Sequence, residues 1–271
     1  MQKLNGAQRN TRWNAGGQPF RFASVGEMDA RKILFQNDYW LYFVNNSQSV
    51  NCGQTFNCDY NQTWSLSFWM KCPSIPIRDA WIVGRKSGAT VGVVFGINRD
   101  TGKPMFQADD VIGSSQYISW GTSNIADNTT HHMVFTYAPG PGRIEEELYI
   151  YVDSVKETQT GNASWTASCI LGTDPWIIGN PWHQSYNHYT GWIDEVCLWP
   201  GVRLSQSVIN SIYNAGFPTD NRELDDAIYI SNYWRCGDGD DVYPTIYDIV
   251  GSNDGTMNVN MSQANIQTGA P

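Results

Sequence analysis

Charge is scarce in this chain. Only 16% of its 271 residues are Asp, Glu, Lys or Arg, against about 25% in an ordinary globular domain, so its surface must be mostly neutral and polar. Basic residues are the scarcer sign: 17 Lys and Arg stand against 26 Asp and Glu, a formal net charge of -9. A nucleic-acid backbone is repelled over most of such a surface, and nucleic-acid binding is not expected. Long apolar runs are missing too. The longest are short stretches such as Val91 to Ile97, well below the roughly 20 residues that cross a bilayer, so no membrane insertion is expected. Met1 to Asn14 is polar and basic and lacks the apolar centre of a secretory signal. With Met1 as the start, the chain is expected to be made in a cytoplasm and not exported by the usual route.

The usual equipment of an enzyme is also thin. Cys52, Cys58, Cys72, Cys169, Cys197 and Cys236 contain no Cys-x-x-Cys pair, which argues against a zinc site or a thioredoxin-like motif. Cys72 and Cys197 read as small buried hydrophobes, while Cys52 and Cys58 either bridge a loop in an oxidising setting or stay free. No glycine-rich phosphate loop, nucleophile motif or His-x-x-x-His pair is present. Glycan cleavage needs two facing carboxylates. The best candidates, Glu145 and Glu147, stand two apart on one expected strand and read as its solvated edge after the Pro139 to Gly142 turn. Adjacent strand residues face opposite ways, so His131 and His132 cannot share one site.

What is present is alternation. Trp64, Leu66, Phe68 and Met70 interleave with Ser65, Ser67, Trp69 and Lys71, and Val91, Val93, Phe95 and Ile97 interleave with small or apolar residues including Gly92 and Gly96. Met133, Phe135 and Tyr137, then Leu148, Ile150 and Val152, repeat the period of two that marks a strand with one buried face. Turn-forming clusters separate these runs at Asn98 to Gly102, Ala138 to Gly142, Gly172 to Pro175 and Gly179 to Pro181. The pattern predicts an all-β sandwich or barrel. One short helix is expected on its C-terminal side, from Leu204 to Ala215, with Ser205 as cap, Val208, Ile209 and Ile212 as its apolar stripe, and Gly216 and Pro218 as its stop. Residues 1–35 read as an extended N-terminal arm and 36–218 as the sandwich. Residues 219–271 read as a segment packed on it, with strand-like pieces Ala227 to Trp234 and Thr245 to Val250 and a tail of about ten residues.

Several of these segments resemble the concanavalin A-like, laminin G-like jelly-roll family. Phe43-Val44-Asn45-Asn46 with Ser49-Val50 is similar to its opening strand and turn, and Trp64 to Lys71 to its next core strand. Thr130-His131-His132-Met133-Val134-Phe135-Thr136-Tyr137 is similar to a frequent Trp-His-His-x-x-x-Thr-Tyr signature, with Thr130 in place of the Trp. Gly191-Trp192-Ile193-Asp194-Glu195-Val196 is the most specific match. The resemblance covers roughly residues 40 to 217 and implies an all-β, two-sheet antiparallel jelly-roll sandwich. Asn232 to Gly239 and Ser252 to Met257 look like the tail attached to such modules in structural proteins of tailed phages, although a similar stretch usually opens the module. Whether it pairs back as a permuted strand or forms a cap is left open by the sequence.

The resemblance implies a non-enzymatic virion structural protein, a phage capsid decoration or appendage subunit. Its expected partners are other virion proteins and further copies of itself, with adhesion to host-surface glycans as an added role. A stand-alone carbohydrate-binding lectin is the alternative, and a polysaccharide hydrolase or lyase a more distant one. The matching aspartate of the family often binds structural calcium, so Asp194 is the metal candidate, against the simpler reading of a turn-capping carboxylate. The aromatic loop supplies the ligand candidates Trp182, His183, Tyr186, His188 and Tyr189, which either stack on sugars or a partner or cover the sandwich end. Trp69 is a weaker candidate on a strand face.

Overall fold

The computed structural model describes residues 35–45, 47–87, 91–111, 116–169, 174–181, 189–238 and 240–269, together with two short strands nearer the N-terminus. Residues 1–36 and 37–271 form two separate compact units. In the first, β1 (Arg12–Trp13) pairs antiparallel with β2 (Pro19–Phe20); the rest of the expected arm up to residue 34 lies outside the described residues.

The second unit runs in chain order through β3 (Tyr39–Phe43), β4 (Val50–Asn51), β5 (Trp64–Lys71), β6 (Ala80–Ser87), β7 (Val91–Ile97), β8 (Pro104–Asp109), β9 (Gln116–Trp120) and β10 (Thr130–Tyr137). A single helical turn, α1 (Ile144–Glu147), precedes β11 (Leu148–Val152), β12 (Val155–Lys156), β13 (Thr160–Gly161), β14 (Trp176–Ile178) and β15 (Gly191–Pro200). After helix α2 (Gln206–Tyr213) come β16 (Asn232–Trp234), β17 (Thr245–Ile246), β18 (Gly255–Met257) and β19 (Ile266–Thr268). An eight-stranded sheet has the order β12-β11-β10-β5-β15-β3-β19, with β16 also on β15; a nine-stranded sheet has the order β13-β9-β8-β7-β6-β14-β4-β18-β17. The named pairings are antiparallel, as a two-sheet sandwich requires. Among the described residues no helix is long and apolar enough to cross a membrane.

Alternation fills the space between the sheets. Leu66, Phe68, Met70, Phe135, Ile150, Ile193 and Leu198 from one sheet meet Val83, Val93, Phe95, Ile97 and Phe106 from the other. Phe95 is the hinge of an aromatic cluster, with ring centres 5.6 Å from Trp64, 5.3 Å from Phe106, 5.0 Å from Phe135 and 6.4 Å from Trp176. The residues of opposite parity on the eight-stranded sheet are covered as well. Helix α2 lays Val208, Ile209 and Ile212 against Val134, Cys197, Trp199 and Tyr233. Its cap is Ser205, whose Oγ accepts from the Val208 amide at 3.4 Å, and it ends earlier than Ala215 because Asn214 turns left-handed with φ 43°.

The C-terminal segment is woven into both sheets: β16 lies on β15 and β19 on β3, while β18 lies on β4 and β17 on β18. Its strands are shorter than the sequence suggests. Ala227–Tyr229 is a 3-10 turn, and the run after Thr245 ends at Ile246 because Asp248 gathers the chain into a knot. Its carboxylate accepts from the amides of Tyr233, Val250, Gly251 and Asn253 and from the Asn232 side chain. The expected tail includes β19. All six cysteines are buried free thiols, so Cys52 and Cys58 do not bridge. Replacing Phe95 by alanine is expected to cost about 3–5 kcal/mol, the usual penalty for emptying a large aromatic site, read as a lower midpoint of urea unfolding at unchanged slope.

Candidate cation centre and the aromatic strip beside it

One edge of β15 serves two partners in succession. Gly191 to Ile193 pair with β3 and Val196 to Leu198 with β16. Between them the pairing of β15 with β5 slips at Asp194 to Cys197, and Glu195 takes φ 50°, so two successive carboxylates are brought to the gap between β3 and β16. Asp238 enters the gap from beyond β16, held by the amides of Asp38 at 2.9 Å and Tyr39 at 3.3 Å. Asp194, Glu195 and Asp238 are buried, with carboxylate oxygens within 4.8 Å of one another.

The surrounding groups are few. The Asp194 carboxylate accepts from the Glu195 amide at 2.8 Å and from Asn37 Nδ2 at 2.9 Å. Glu195 is joined by the Tyr233 hydroxyl and by Arg235 Nε at 2.9 Å. Burial drives the Asp194 carboxyl well above the ordinary carboxylate range, and Glu195 beside it adds to the rise. Burial also pushes Glu195 up to about 8 against the pull of Arg235, and raises Asp238. Three carboxylates around one guanidinium leave two negative charges without a neutralising group, which protons or one divalent cation can satisfy. The donors are all hard oxygens, and the buried Asn37 Oδ1 has no hydrogen-bond partner. This set fits a calcium ion, with Asp194, Glu195, Asp238 and the Asn37 amide oxygen as the groups to hold it.

Beside the gap, on the sheet face away from the core, three rings form a strip. Trp192 stands opposite Tyr42 in register, their centres 4.5 Å apart and their planes 25° from parallel; Trp40 stacks at 5.3 Å. Lys71 Nζ lies 5.5 Å from the Trp192 ring and Gln267 accepts from its indole nitrogen at 3.0 Å. Trp40 is buried, whereas Tyr42 and Trp192 remain half-exposed.

With this geometry established, residues 44–209 match the laminin G-like family described as the concanavalin A-like lectin/glucanases superfamily. The chain belongs to the concanavalin A-like lectin/glucanase superfamily. Among solved structures, this superfamily member is similar to a native heptameric SAP-like pentraxin from Limulus polyphemus, at 9% identity and TM-score 0.47, over 66% of this chain and 83% of that one. It is also similar to the binding domain of botulinum neurotoxin serotype D, at 14% identity and TM-score 0.46, over 76% and 45%. A third likeness is the CBM40 of Ruminococcus gnavus IT-sialidase bound to α2,3 sialyllactose, at 10% and TM-score 0.44, over 59% and 96%. No curated protein matches the chain in sequence.

Trp182, His183, Tyr186 and His188 lie outside the described residues. Tyr189 is a correction: it is 1% exposed, and its hydroxyl sits between the carbonyls of Lys71 and Trp192 at 2.8 and 2.9 Å, so it closes the end of the core. Trp69 is another, 2% exposed beneath α2, stacked on Tyr213 at 5.9 Å and tilted against His132 at 4.9 Å. Glu145 and Glu147 occupy α1 and not a strand. Glu145 pairs with Arg143 at 2.6 Å, while Glu147 is buried beside the Tyr137 hydroxyl at 3.2 Å, so the two are engaged by different partners. The sequence reading passed over Glu195, Asp238 and Arg235; the one local signal was a pair of adjacent acids inside an otherwise apolar strand.

The two histidines respond to pH in opposite senses. His132 is buried with neither ring nitrogen hydrogen-bonded, and desolvation lowers it to about 3. Its neutral form is the folded form, so its contribution is complete above about 6.5, the unfolded value, and stability is lost as pH falls from there towards 3. His131 lies between Asp153 at 2.8 Å and Asp127 at 3.2 Å; burial opposes its charge, but these two carboxylates prevail and raise it. Its contribution is complete below the unfolded value and lost as pH rises through the folded one. Thermal melts across pH 4 to 9 should therefore show His132→Gln flattening the acid limb and His131→Gln the neutral-to-alkaline limb. Identical slopes in wild type and both variants would refute this assignment.

Proposed function

We propose that this chain is a non-enzymatic carbohydrate-binding module carried as a structural subunit of a virus particle, a phage capsid decoration or appendage protein. The half-exposed strip of Tyr42 and Trp192, rimmed by the Lys71 ammonium and the Gln267 amide, is the observation that carries the binding part. Flat apolar rings beside amide and ammonium groups suit the mixed apolar and hydroxylated faces of a sugar. The loop residues Trp182, His183, Tyr186 and His188 are assigned to the same task. The virion part is supported by the resemblance of Asn232 to Gly239 and Ser252 to Met257 to the tails of phage structural proteins. Its partners on this reading are other virion proteins and further copies of the chain.

The reading is non-enzymatic because the acids that the sequence offers as a catalytic pair have other tasks. Glu145 is tied to Arg143 and Glu147 is sealed against Tyr137, whereas glycan cleavage asks two carboxylates to flank one bond. Asp194, Glu195 and Asp238 are assigned to a structural calcium ion that ties the start of β3 to the segment beyond β16.

A glycan array probed with the purified chain should give saccharide binders, and Trp192→Ala should weaken them by the worth of a stacking pair, about 0.5–1.5 kcal/mol. No binder at all would remove the carbohydrate reading, and polysaccharide turnover abolished by Glu147→Gln would replace it with a hydrolase or lyase. Mass spectrometry of purified virions should find the chain, and finding it only outside particles would leave a stand-alone lectin. Calcium at about 100 times its dissociation constant should add about 2.7 kcal/mol. That amount is worth about 2–4 °C per kcal/mol in a chain of this size. EDTA should reverse the gain and Asp238→Asn should abolish it, and an unchanged melting temperature would exclude the ion.

A further inference from the structure

The outer face of the eight-stranded sheet holds a second group of side chains, at the edge opposite the aromatic strip. Tyr149 on β11 is clasped by two cations: Lys156 Nζ lies 3.1 Å from its ring centre and the Arg203 guanidinium carbon 3.6 Å. Two cations that near one centre cannot share a face, so the ring is sandwiched between them. Neither forms an ion pair among the described residues. That is unexpected in a chain where acids outnumber Lys and Arg by 26 to 17, because a cation here has many carboxylates to choose from. Arg203 donates through Nη2 to the Glu147 carbonyl at 2.9 Å, while its Nε is buried without an acceptor.

The neighbouring backbone holds this clasp in place. Lys156 stands directly opposite Tyr151 on a hairpin whose turn, Asp153 and Ser154, has φ 50° and 65°, the left-handed pair that closes a two-residue connection. Gln206, in the first turn of α2, donates to the Ser154 carbonyl at 2.7 Å and ties that hairpin to the helix following Arg203. The one acid of the turn, Asp153, is spent on His131. The first turn of α2 contains no acidic residue, so nothing on the helix neutralises the cations either. The ring eases their mutual repulsion through its negative faces, and an anion towards which the two flexible side chains swing from either face adds charge-assisted hydrogen bonds.

We propose that Lys156 and Arg203, clasping Tyr149, form a binding site for a single oxyanion, a carboxylate or a sulfate ester, borne on a saccharide. This deepens the carbohydrate reading and rests on it. Two cations on a surface of net charge -9 suit a polymer with widely spaced charges and disfavour one charged at every step, such as a nucleic acid. The half-buried Tyr149 ring adds an apolar edge against which a sugar ring can rest.

The test is binding of the full chain to immobilised chondroitin sulfate, hyaluronan and neutral dextran at about 0.01 M salt, where charge interactions reach furthest. Binding to chondroitin sulfate alone would assign a sulfate ester; binding to both charged polymers would assign a carboxylate. In either case Lys156→Gln should weaken binding roughly tenfold, the double variant with Arg203→Gln should weaken it further, and about 0.15 M salt should reduce it in the wild type. Lys156 is an exposed hairpin residue, so its variant should melt with the wild type and keeps the test valid if the double variant is unstable. Equal binding by wild type and Lys156→Gln, or no binding to either charged polymer, would overturn the site. Neutral glycans still captured on the array in that event would leave the carbohydrate reading standing.

Discussion

One edge of β15 is shared by two partners in succession while its pairing with β5 on the other side slips between them, and that arrangement organises much of the second unit. β3 takes the first part of the edge and β16 the second, and the slip falls at Asp194 to Cys197. The slip turns two acids into a place with little water. It also draws in Asp238 from the C-terminal segment and Asp38 and Tyr39 from the start of β3, regions far apart in the chain. Charge buried in this way must be neutralised, and here Arg235 meets only part of it. The same break therefore makes the sheet continuous across distant segments and creates the candidate cation centre.

The two faces of the eight-stranded sheet are covered to different extents. Its inner face packs against the aromatic cluster around Phe95. Its outer face is uneven. Helix α2 and the residues after it cover the middle, where Trp69, His132 and Trp199 lie buried, and leave both margins less covered. At one margin are Tyr42 and Trp192, at the other Tyr149 between Lys156 and Arg203. Both proposed binding sites lie where the covering layer stops, and among the described residues aromatic and cationic side chains there are held by neighbours and still reach solvent.

The fold was legible because alternation is a local code. A period of two appears in the order of residues, so Trp64 to Met70, Met133 to Tyr137 and Leu148 to Val152 announced their inward faces, and a cap at Ser205 with a stripe at Val208, Ile209 and Ile212 announced the helix. The same code misleads about the other face. It placed Trp69 away from the core correctly, yet nothing local says that α2, more than 130 positions later, lies on top of it. Glu145 and Glu147 looked like strand neighbours because three consecutive glutamates carry no periodicity of their own, and their helical turn is set by contacts around Ile144, buried in the core.

The sequence by itself determined the sandwich, the position of its helix, the shortage of groups for acid-base chemistry and the acidic surface, since each follows from composition or from spacing along a few residues. Tertiary structure decided which acids meet, which aromatic rings stay in reach of solvent and where the C-terminal segment pairs. Those outcomes depend on strands brought side by side from opposite ends of the chain, and hydrogen-bond register between such strands is a property of the assembled sheets that no short stretch of sequence contains.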